Sequence, residues 1–150
     1  MTVELAWDTA VPTGISDQQL VRAALAALQH GELPEMELQV VMVSDSTLAE
    51  MHGRFLDDDS PTDVMAFDLG DEDEGPNGEV YVSVDCARRV SALRAGTLDR
   101  ELALYVVHGC LHLCGYDDHE EQDRTRMRAA ESLVLGNLGY PPDNGPHELE

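Results

Sequence analysis

The sequence predicts a single α/β (α+β) domain, a small and mainly four-stranded mixed sheet packed by about five helices. Two observations lead there. Short alternating or β-branched runs are interleaved with longer segments of helical period, the order that builds one sheet layered with helices. The chain has 150 residues, 43% of them hydrophobic, enough for one core without staples, and it shows no internal repeat. The domain is expected over residues 1–140, with 141–150 (PPDNGPHELE) as a loose tail.

The elements follow in order. VELAW (Val3 to Trp7) alternates and reads as a first strand. Ser16 and Asp17 open a helix whose apolar stripe is Leu20, Ala23, Ala24, Ala27 and Leu28, and Pro34 ends the connection that follows. Glu37 to Val43 is β-branched and predicts a second strand, buried on both faces around VMV. Ser44 or Asp45 caps a short helix through LAEMHGRF. Ser60-Pro61 marks a turn, Asp63 to Phe67 a third strand, GDEDEGPNG a loop, and Glu79 to Asp85 a fourth strand. Ser83 or Asp85 then caps a helix around CARRVSALRAG. Leu98 to Cys114 is a long apolar helix closed by Gly115. A last amphipathic helix runs from Gln122 to Leu138, with Met127, Ala130, Leu133, Val134 and Leu138 on one side.

Composition narrows the function classes. No apolar run reaches membrane-spanning length. MTVELAWDTAVP has no basic start before an apolar core, so no secretory signal is read and a cytoplasmic address is expected. Cys86, Cys110 and Cys114 are an odd set, which argues for reduced thiols, and the last two sit in an apolar helical run as small core residues. The formal charge is −21, and all nine cations are Arg. Such a chain repels nucleic acid at long range, so broad phosphate contact is not expected of it. The acidic runs Asp57 to Asp59 and Asp71 to Glu74 lack the spacing of a calcium loop and read as solvated. Asp63 reads as a local cap of its turn.

The chemistry concentrates in HGCLHLCGYDDHE, from His108 to Glu120. His108 and His112 are four residues apart, so on a helix they differ by about 40° in azimuth and about 6 Å along the axis. Both imidazoles can then reach one metal ion from the central helix. Gly115 lets the chain turn back, and the loop after it can bring His119 to the same point. Three neutral nitrogens with one open position suit a catalytic zinc, and one zinc ion is expected. His30, His52 and His147 have no such partners and read as surface residues. Gly109 stands where an HExxH peptidase carries its glutamate base, which argues against simple peptide hydrolysis. RNA cleavage remains compatible, because the ribose 2′-OH is a built-in nucleophile and a cation can stabilise charge on the phosphate oxygens.

These residues resemble the HGxLHLxGYDH signature of the bacterial YbeY family. A second stretch, MHGRFLDDDSPTDVMAFDL, is similar to that family's LNxxYRxxDxPTDVLSFP segment. The resemblance runs from the second strand to the last helix. It implies a zinc-dependent, single-strand-specific endoribonuclease of rRNA maturation, working on the 3′ end of small-subunit rRNA and in ribosome assembly. RNA and small-subunit ribosomal components are the implied partners, with no membrane; the oligomeric state stays open. The family's three histidine ligands fall on His108, His112 and His119. The chain has one residue more than GYDH, so Asp117 or Asp118 is an alternative third ligand. The family's Arg in the upstream segment is replaced by Leu56, and Arg54 lies two residues earlier. Arg54 and Asp118 are the weak candidates for a catalytic role, and the general base is otherwise unassigned. Arg88, Arg89 and Arg94 are either ordinary surface cations or a local phosphate patch. Two rivals remain open: a zinc hydrolase of peptide or amide bonds using Asp117, Asp118 or Glu120, and a non-catalytic ribosome-assembly factor with structural zinc.

Overall fold

A computed structural model describes residues 3–56, 63–70, 77–93, 96–117 and 119–141, with only the backbone of 52–56. Four strands form one sheet: β1 (Val3–Trp7), β2 (Leu38–Val43), β3 (Val64–Asp68) and β4 (Gly78–Ser83). Their order is β1-β2-β4-β3. β1, β2 and β4 run parallel, and β3 pairs antiparallel with β4 at the edge. Five helices accompany them: α1 (Asp17–His30), α2 (Asp45–Leu56), α3 (Val84–Leu93), α4 (Leu98–Leu113) and α5 (Glu121–Asn137). The expected small mixed sheet with five helices is what folds.

Local signals explain most boundaries. Ser16 caps α1 by accepting the Gln19 amide at 3.3 Å, and all five residues of the expected α1 stripe are buried. Ser44 accepts the Thr47 amide at the start of α2. Three expectations shift. β3 begins at Val64 and ends at Asp68. β4 stops at Ser83, because its hydroxyl accepts the Cys86 amide at 3.0 Å and turns Val84 and Asp85 into the first turn of α3. In α5, Leu133 is 52% exposed, and Glu131 and Leu135 are buried with Met127, Ala130 and Val134. The turn at Ser60-Pro61, the acidic runs 57–59 and 71–74 and the tail from 142 lie outside the described residues.

Alternation divides the sheet into two faces. Leu38, Val40 and Met42 of β2 and Val80 and Val82 of β4 join the main core, with α1, α4 and α5 packed over it. Val43, Leu48 and Met65 form a smaller cluster on the other face, under α2. Burial of β2 is therefore one-sided along most of its length, Gln39 and Val41 being only partly covered.

Helix α4 lies at the centre, against α1, α3, α5, β3 and β4. Its last turn closes at Cys114, and Gly115 follows with φ +103°, a conformation that favours glycine. All three cysteines are free thiols; Cys110 is fully buried. Gly109 faces the sheet so closely that a Cβ there would stand 2.6 Å from Val80 Cγ1 and 3.2 Å from Val64 Cγ2. The missing peptidase glutamate thus has a packing cause, since any Cβ at that position forces Val80 to shift. Alanine would gain about 1 kcal/mol of helix propensity against an overpacking cost of about 1–3 kcal/mol. Val80 is fully buried and β-branched, so it yields little and the cost prevails. Gly109→Ala is expected to lose about 1–2 kcal/mol in urea unfolding; equal or higher stability would contradict the close approach.

Candidate functional site

Glu101, Tyr105, His108 and His112 recur along α4 at helical spacing and share one side of it. Glu101 and Tyr105 are buried, and the two histidines are half-buried. This is a polar seam in a helix otherwise covered by core residues. The Tyr105 hydroxyl lies 3.7 Å from Cys86 Sγ of α3. Burial, with the Cys86 thiol beside it, holds the Tyr105 phenol far above its ordinary value. Burial likewise pushes the Cys86 thiol up.

The histidines come together as expected. Their rings are 4.8 Å apart, centroid to centroid, and steeply tilted at 80°. His108 Nδ1 is 2.5 Å from Glu131 Oε2 on α5. The Glu131 side chain is 2% exposed and that of His108 17%. The other Glu131 oxygen, Oε1, is buried without a hydrogen-bond partner among the described residues. Glu131 escaped the sequence reading, although a signal existed. It falls on the same face as Met127, Ala130 and Val134, and a carboxylate inside such a stripe is rarely left unpaired.

Asp63, at the entry to β3, is a second group whose position matters. The backbone amides of Asp63 and Val64 favour its ionised form, and the turn it was expected to cap lies outside the described residues. Asp63 also lies close enough to His108 and Glu131 for their charges to act on it. Burial raises its pKa; His108 and the two amides work in the opposite direction, and Glu131 adds to the rise.

His119 is placed differently. Its side chain is 83% exposed, with Nε2 at 3.4 Å from Asp117 Oδ1, while its carbonyl accepts from Arg124 at 3.0 Å. Among the described residues no three His, Cys, Asp or Glu side chains are gathered as a metal-binding group. Asp118 and Arg94 lie outside the described residues, as do the side chains of Arg54 and Leu56. Arg88 is exposed. Arg89 bonds to Asp45 at 2.5 Å, and Ser83 donates to the same carboxylate at 2.7 Å. Burial opposes ionisation of Asp45, but these two donors bring its pKa below the ordinary value. Asp85 accepts the Asp45 amide at 2.8 Å, so the group ties the starts of α2 and α3 together. Arg89 is accordingly a structural cation here.

Comparison with known proteins adds a family. A family model described as Endoribonuclease YbeY matches residues 8–139. Proteins described as Endoribonuclease YbeY are similar. That of Pelotomaculum thermopropionicum is 37% identical over 79% of this chain and 84% of its own length. That of Heliobacterium modesticaldum is 33% identical over 81% of each. The Myxococcus xanthus relative is 36% identical over 81% of this chain, which spans only 43% of that longer protein. A solution structure from Thermotoga maritima shares the fold, with a TM-score of 0.59 at 23% identity over 99% of both chains.

The raised Asp63 pKa makes a pH prediction. Its ionised form is disfavoured in the folded chain, so the protein loses stability as pH rises from about 4, the unfolded value, through the folded pKa. Asp63→Asn keeps an acceptor and cannot ionise. In chelator-treated protein the variant's urea-unfolding stability is expected to gain on the wild type between pH 4 and pH 7. A constant difference across that range would show that Asp63 ionises without penalty.

Proposed function

The chain belongs to the Endoribonuclease YbeY family, and on that premise we propose that it is a zinc-dependent endoribonuclease acting on single-stranded RNA. The proposed substrate is ribosomal RNA, at the 3′ end of the small-subunit species, in the cytoplasm and during ribosome assembly. The observation that carries the metal part is the His108–His112 pair, two facing imidazoles on one side of a buried helix, the first backed by a carboxylate. That donor set fits zinc, for which neutral ring nitrogen is a preferred ligand. His108 and His112 would hold the ion, and His119 would complete the set by leaving Asp117. When bound, the ion supplies a Lewis acid for negative charge on the phosphate oxygens.

The chain's own groups do the rest. The His108 side chain is only 17% exposed, which limits the water that reaches it. Glu131 holds Nδ1 of that ring. Asp63 retains a proton more readily than a surface carboxylate does, close to the same histidine. The crowded position at Gly109 disfavours a glutamate base of the HExxH type there, which favours phosphodiester over that amide chemistry. With a net charge of −21 the chain attracts RNA weakly at long range, so docking depends on a protein partner or on the local field of the metal.

Purified zinc-loaded protein is expected to cut single-stranded RNA. His112→Ala, matched to the wild type for folding by circular dichroism, is expected to cut at least about 100-fold more slowly. Intact RNA with the wild type, or equal cutting by the variant, overturns the reading. Unfolding on chelation without any hydrolytic activity would support a structural ion instead.

A further inference from the structure

We propose that Glu131 is a positioning residue: it holds the proton of His108 on Nδ1 and so makes Nε2 the nitrogen that faces a cation. This rests on the metal reading above. The 2.5 Å contact joins two helices, α4 and α5, and its carboxylate side is 2% exposed. An ionised carboxylate only accepts hydrogen bonds, so the nitrogen facing it carries the hydrogen and the opposite nitrogen carries the lone pair. Rotation of the ring is limited from the other side by His112, whose ring packs edge-on at 4.8 Å.

Stability alone does not account for the residue. Met127, Ala130, Val134 and Leu135 surround that position on α5 with apolar surface. An apolar side chain of similar volume there is commonly as stable as a buried ion pair, or more so. Glu131 occupies a core position at a desolvation cost and, among the described residues, gives its hydrogen bond to a histidine of the candidate site. Asp63 feels the charge of both members, so the three side chains form one electrostatic unit drawn from the entry to β3, from α4 and from α5. Carboxylates behind ligand histidines set tautomer and ring orientation, and losing one costs about 10–100-fold in metal affinity.

The test uses E131M, which fills the space without a hydrogen bond, and E131Q, which keeps an acceptor. Nitrogen-15 NMR of the metal-free full chain at neutral pH reads the His108 tautomer. Competition with a chromogenic chelator reads zinc affinity. The wild type is expected to show Nδ1–H at His108. E131M is expected to lose that preference and about 10–100-fold in zinc affinity, with thermal stability maintained, and E131Q to keep the tautomer with a smaller loss. If E131M does not fold, the wild-type tautomer and E131Q affinity decide. An Nε2–H tautomer in the wild type, or unchanged tautomer and affinity in E131M, overturns the proposal. Wild-type protein that takes up no zinc overturns the metal reading instead, and the nitrogen spectrum still decides whether Glu131 sets the ring.

Discussion

The close approach of α4 to the sheet at Gly109 is the constraint on which the rest depends. A helix usually stands off a sheet by the thickness of its side chains, whereas here backbone meets Val80 directly. The helix is thereby sunk among α1, α3, α5 and two strands. Every side chain on it must be apolar, paired, or aimed along the one seam that remains. His108 and His112 occupy that seam. The same contact closes the position at which a peptidase would place its base, so one packing event shapes both the site and the chemistry open to it.

The seam also shows what a buried polar group demands of its surroundings. Removing one partner of a buried charged pair costs about 3–5 kcal/mol, while replacing both by apolar groups is often neutral. A His–Glu contact with 17% and 2% exposure is therefore a weak way to stabilise a domain and a strong way to fix one ring. The Asp45–Arg89–Ser83 group is different in kind. Arg89 is half-exposed, so its ion pair contributes little by itself, and its role is to join two helix starts.

The sequence made the scaffold legible because local rules coincided with tertiary demands. Ser16 caps where Ser16 was expected to cap, and the α1 stripe is buried residue for residue. Boundaries slipped where two rules competed: Ser83 and Asp85 both read as strand and as cap, and the hydroxyl of Ser83 settled it. The pairing of His108 with His112 was legible from spacing alone. What spacing could not carry was contact between distant elements. Glu131 is far along the chain from His108, and a stripe read through Leu133 hid it. Asp63 was legible only as a local cap, since its neighbours on α4 and α5 are set by the packing of the sheet.

The His108–Glu131 contact has one more effect, on the segment that lies between its two ends. It pins α4 to α5, and the chain from Cys114 to Glu120 is the tether that joins those helices. Both of its ends are anchored, and the His119 carbonyl accepts from Arg124 at 3.0 Å. The backbone at His119 is thereby held to the start of α5, while its side chain stands 83% exposed in solvent.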